Sequence, residues 1–96
     1  MFEGIIRNQI KKHLKTLKQH NIQLAFEEYQ NAPVIIASNL PSDYKSVFSK
    51  MIDALGKVGV SHEIDTLNKI VRFTNLPSKY VGMIKSCIDD YNSGRI

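Results

Sequence analysis

The chain has 96 residues, enough for one domain of ordinary size and too few for a second core. Apolar residues make up 43% and charged residues 23%, the profile of a folded chain, and the longest apolar run, Val34 to Ala37, is far short of the roughly 20 residues that cross a bilayer. The formal net charge of +4 lies entirely in residues 1–22, where Arg7, Lys11, Lys12, Lys15 and Lys18 stand against Glu3 alone; residues 23–96 carry eight basic and eight acidic side chains.

Residues 2–20 read as a helix. Phe2, Ile5 or Ile6, Ile10, Leu14 and Leu17 recur at three- and four-residue steps, and Arg7, Lys11, Lys15 and Lys18 recur at the same steps beside them. Asn21 is the expected terminator, because Asn tolerates left-handed backbone angles. The lysines interrupt any apolar stretch that would make a secretory leader. From Ile22 the period changes to two: Ile22, Leu24 and Phe26 alternate with polar or small residues, as on a strand with one buried face. Gln30-Asn31-Ala32-Pro33 is the expected turn, and Val34-Ile35-Ile36-Ala37 suits a central strand.

Asn39-Leu40-Pro41-Ser42 then opens a helix over 42–57, with Ser42 or Asn39 as cap and Tyr44, Val47, Phe48, Met51, Ile52 and Leu55 as its stripe. Gly56 or Gly59 ends it. A second hairpin runs from Val60 to Thr74 around Asp65-Thr66-Leu67-Asn68. Asn75-Leu76-Pro77-Ser78 opens the last helix, striped by Tyr80, Met83, Ile84, Cys87, Ile88 and Tyr91, and the tail from Asn92 to Ile96 is expected to fray.

Shifted by 36, residues 38–55 lie over 74–91 with seven identities in eighteen positions: Asn39/Asn75, Leu40/Leu76, Pro41/Pro77, Ser42/Ser78, Tyr44/Tyr80, Ile52/Ile88 and Asp53/Asp89. About one would be expected by chance, so an internal duplication is the natural reading, although the hairpins agree only in pattern. Two units are too few for a solenoid. The expected fold is α+β and a single domain over 1–96: a basic amphipathic helix (1–21), then ββα repeats over 22–57 and 60–93, forming a pseudo-twofold, four-stranded antiparallel sheet with two helices on one face. That order is a circular permutation of the ferredoxin-like one. The first helix is expected to pack on a sheet edge, on the other sheet face, or on a second subunit.

Val34-Ile35-Ile36-Ala37-Ser38-Asn39-Leu40-Pro41, with the helix that follows to Gly56, resembles the opening strand and helix of RNA-recognition motifs over about 25 residues. Where that family has its second motif, Leu67 to Thr74 holds no Gly and only one aromatic, Phe73, so most of the base-stacking platform that the resemblance implies is missing. No strand follows the last helix. The likeness is one of sheet topology, and no membership is inferred.

No catalytic motif is present: no Gly-rich phosphate loop, no Gly-x-Ser-x-Gly, no His-Glu-x-x-His and no Cys-x-x-Cys. His62-Glu63-x-Asp65 fails as a metal site because strand alternation sends His62 and Glu63 to opposite faces. Cys87, the sole cysteine, falls on an apolar stripe and reads as a buried structural thiol in a reducing, cytoplasmic setting. No cofactor is expected. Tyr44 and Tyr80 read as packing residues, while Arg72, flanked by Val71 and Phe73, is expected on the open sheet face, free to meet phosphate or to pair with Glu28 or Glu63. The basic helix is the main functional signal: its row is roughly 16 Å long at 1.5 Å per residue, suited to a phosphate backbone. The expected function is therefore a non-catalytic nucleic-acid-binding module using Arg7, Lys11, Lys12, Lys15, Lys18 and Arg72. The alternative is a protein-interaction module, a phage or bacterial regulator or inhibitor of a larger protein. A homodimer through the first helix fits either, and no membrane contact is expected, since the helix lacks interfacial aromatic anchors.

Overall fold

The computed structural model describes residues 2–96, with side chains from Gly4 onward, so Phe2 of the expected stripe lies outside the described side chains. The order is α1 (Phe2–Gln19), β1 (Gln23–Tyr29), β2 (Ala32–Ser38), α2 (Tyr44–Gly56), β3 (Ser61–Asp65), β4 (Ile70–Thr74) and α3 (Val81–Asn92). All three helices stop in the same way. A left-handed residue, Asn21 (φ 58°), Gly59 (φ 90°) or Gly94 (φ 79°), lets the next amide turn back onto the helix: Ile22 N–H to Leu17 O, Val60 to Leu55 and Arg95 to Asp90. The Arg95 bond, together with an ion pair to Asp90 at 3.4 Å, folds the tail back and packs Ile96 on the core, so the expected fraying is corrected.

The first hairpin turns on Gln30 and Asn31 alone, both left-handed (φ 53° and 65°), as a two-residue turn of the kind that matches strand twist. The expected four-residue turn is therefore too long, and Ala32 and Pro33 belong to β2. Pro33 pairs with Glu28 one step beyond the turn, and the β4 pairing begins only at Ile35, so no ladder bond needs the missing N–H. The second hairpin has a longer loop, closed where Asp65 accepts from the Asn68 amide at 3.1 Å and from its side chain at 2.8 Å.

The sheet order is β1-β2-β4-β3, with every neighbouring pair antiparallel. This is the ferredoxin-like arrangement with its last strand moved to the front. At the centre Ile36 pairs with Arg72, flanked by Ile35 with Phe73 and Ala37 with Val71. Ile36 and Arg72 occupy equivalent places in the two repeats, so the pseudo-twofold axis passes through that pair. The repeats also share a clasp. Asn39 (φ 62°) donates its side-chain amide to Asn21 O at 2.9 Å, and Asn75 (φ 59°) donates to Gly59 O at 2.9 Å, each tying the exit of its hairpin to the residue that ended the preceding helix. Neither Asn39 nor Ser42 caps α2, which instead starts at Tyr44 after Asp43 without a side-chain cap.

One face of the sheet presents Leu24, Ile35, Ala37, Val71 and Phe73 to the helices, and these join one buried cluster with Val47, Phe48, Met51 and Leu55 of α2 and Met83, Ile84, Cys87 and Ile88 of α3. α1 belongs to that cluster through Ile10, Leu14 and Leu17 and contacts both α2 and α3, with Leu14 and Leu17 fully buried. The three docking places expected for this helix are all corrected: it lies on the helix side of the sheet within the same chain. Its stripe needed an apolar partner, and the groove between two repeat helices supplied one. Tyr44 and Tyr80 are half-buried against the same cluster, consistent with packing.

Leu14→Ala should cost about 3 kcal/mol in urea unfolding, because its cavity lies where three helices meet. Asn39→Ala and Asn75→Ala should each cost about 2 kcal/mol, from a lost hydrogen bond and a left-handed alanine, and near-equal losses are expected because the two clasps are equivalent.

Candidate polyanion-binding surface

α1 has two flanks, and they carry different chemistry. On the α3 flank the cations are already engaged. Lys11 pairs with Asp90 at 3.3 Å, and Lys18 donates to the Tyr91 carbonyl at 2.8 Å with its ammonium 4.9 Å from the Tyr91 ring centre. A lysine at that carbonyl also offsets the negative end of α3. The Tyr91 hydroxyl donates in turn to Ile22 O, so one residue joins the last helix to the start of β1. Burial pushes the Tyr91 phenol up. Arg7 is half-buried on this flank. Burial raises the Cys87 thiol, partly opposed by the positive charges of Arg7 and Lys11, and its side chain is fully buried, which fits a structural role.

Lys12 and Lys15 lie further round the helix, exposed, and among the described residues neither has an ion-pair or hydrogen-bond partner. The expected row of Arg7, Lys11, Lys15 and Lys18 is thus divided. At 100° per residue Arg7, Lys11 and Lys18 fall just beside the Ile10-Leu14-Leu17 stripe, and docking of α3 there captures them.

On the α2 flank, His13 and Thr16 face Ser46, Val47 and Lys50 across a cleft of about 230 Å³. Further along, Ile5, Ile6 and Gln9 face Ala54, Lys57 and Val58, so the two helices run antiparallel. His13 is held below the ordinary imidazole range, first by burial and then by the charges of Lys12 and Lys50. Periodicity alone did not single out His13 or Lys50, because they come from segments with no sequence relation. The sole available signal was a histidine at the margin of an apolar stripe.

Arg72 is remote from α1, on the other side of the sheet. Its guanidinium pairs with Glu63 at 3.1 Å and lies 5.0 Å from the centre of the Tyr29 ring. Glu63 is its partner rather than Glu28, since Glu28 has the parity of Leu24 and Phe26 and belongs to the helix face. His62 and Glu63 do point to opposite faces, and among the described residues no cluster of His, Cys, Asp and Glu has metal-binding geometry. No helix is long and apolar enough to cross a membrane. No family model, curated protein or solved structure matches the chain.

His13 carries a pH prediction. Its folded value lies below its unfolded one, so the neutral form is favoured by folding. Its contribution is present above the unfolded value near 6.5 and is lost as pH falls through the folded value. Between pH 7 and 5, His13→Gln should therefore lose stability less steeply than the wild-type chain in parallel urea titrations.

Proposed function

We propose that this chain is a non-catalytic module that binds nucleic acid through the outward face of α1. One observation carries the reading: the whole net charge of +4 originates in residues 1–22, and within that segment Lys12 and Lys15 stand exposed and uncommitted among the described residues. Cations without internal partners release counterions when they meet phosphates, which is the main source of sequence-independent affinity. Lys11 and Lys18 fit this role less well, because their ammonium groups already serve α3. Arg72 would act, if at all, on a separate surface.

A protein-interaction module is the second reading, and the tip of the β3–β4 hairpin favours it. Leu67 there is 89% exposed and Ile64 is 39% exposed, more apolar surface than a solvated turn needs. A complex that survives nuclease treatment and is lost in Leu67→Asp would support that reading over the first.

Fluorescence anisotropy with a labelled single-stranded oligonucleotide tests the proposal. Affinity should fall steeply with salt, and Lys12→Gln with Lys15→Gln should reduce the slope of log K against log salt by about 2, one for each lost phosphate contact. Salt-independent binding, or binding unchanged in the double variant, would rule out this face.

A further inference from the structure

The cleft between α1 and α2 has a consistent chemical character. Its polar lining is His13, Thr16, Ser46 and Lys50, every one able to donate a hydrogen bond, and no carboxylate lines it. Among the described residues neither the Thr16 nor the Ser46 hydroxyl donates to a protein acceptor, and Lys50 has no ion-pair partner. Lys12 adds a second positive charge that acts on the same imidazole. Two ammonium groups, an imidazole and two hydroxyls around about 230 Å³ form a site for a compact, multiply accepting anion.

We infer that this cleft seats a phosphate group, with Lys50 and Lys12 supplying charge and His13, Thr16 and Ser46 supplying directed donors. This deepens the nucleic-acid reading and rests on it for the source of the phosphate. A backbone running over Lys12 and Lys15 would pass the mouth of the cleft, so one phosphodiester would be held on α2 as well as α1. That placement converts a single row of lysines into a two-helix contact with a preferred strand position. Lys12 and Lys50 are the charged groups that act on His13, one from its own helix and one from α2, so an anion seated among them must favour the imidazolium. His13 thus reports occupancy directly.

The experiment follows the His13 ring protons by NMR through a pH titration of the full chain, alone, with excess inorganic phosphate, and with a short single-stranded oligonucleotide. Lys50→Gln is compared with Lys85→Gln, a surface control on α3. The expected result is an upward shift of the His13 midpoint with both ligands, abolished by Lys50→Gln and kept in Lys85→Gln, with the oligonucleotide salt slope reduced by about 1 in Lys50→Gln. Oligonucleotide binding that leaves His13 unmoved and ignores Lys50 would overturn the site while leaving the nucleic-acid reading standing. A shift with inorganic phosphate but no oligonucleotide binding would uphold the site and overturn that reading. No shift with either ligand would overturn the site.

Discussion

The structure depends on the antiparallel pairing of β2 with β4. Each ββα unit alone offers a two-stranded ribbon and one helix stripe, and a lone hairpin is marginal in water. Joining the units at Ile36 and Arg72 makes a four-stranded sheet whose inner face, with Ile35, Ala37, Val71 and Phe73 at its centre, is broad enough to bury both helices. The pairing joins equivalent strands, so both repeats present the same parity to the core. A slip of one residue would turn Val71 and Phe73 outward and bring Arg72 in, and the hydrophobic pattern therefore fixes the register.

α1 breaks this symmetry and completes the core. It fills the groove between α2 and α3 with Ile10, Leu14 and Leu17, and its two flanks then meet unlike surroundings. Toward α3, acidic Asp90 and the helix-end carbonyl of Tyr91 take up Lys11 and Lys18. Toward α2, His13 and Thr16 meet Lys50 and Ser46 with no compensating acid in the lining. The basic character seen in the linear sequence is thus partly neutralised on one side and reinforced on the other.

The fold was largely legible because its signals are local. The three helix stripes, the change of period at Ile22 and the two Asn-Leu-Pro-Ser-x-Tyr segments each act within a few residues. Even the terminators Asn21 and Gly59 declared themselves. Pro33 misled because proline marks turns more often than the ladder position where its missing N–H goes unneeded. The docking of α1 was illegible for a different reason: periodicity tells which face of a helix is apolar but not which surface will cover it. The candidate surface suffered the same limit. Lys11 and Lys18 look identical to Lys12 and Lys15 in sequence, and only the position of α3 separates them. His13 and Lys50 become neighbours only once α1 and α2 lie antiparallel.

The Tyr91 junction has a kinetic consequence. Its hydroxyl bonds Ile22 O and its carbonyl receives Lys18, contacts spanning 69 and 73 residues of chain. These are among the longest loops a chain of 96 residues can close, and such closures come late because their entropy must be met before they return any contact energy. During synthesis the first helix emerges earliest, yet one wall of its binding groove is the last helix made. Until α3 arrives, the Ile10-Leu14-Leu17 stripe has only a partial cover, and the nascent chain carries an adhesive basic helix that its own C-terminus must eventually claim.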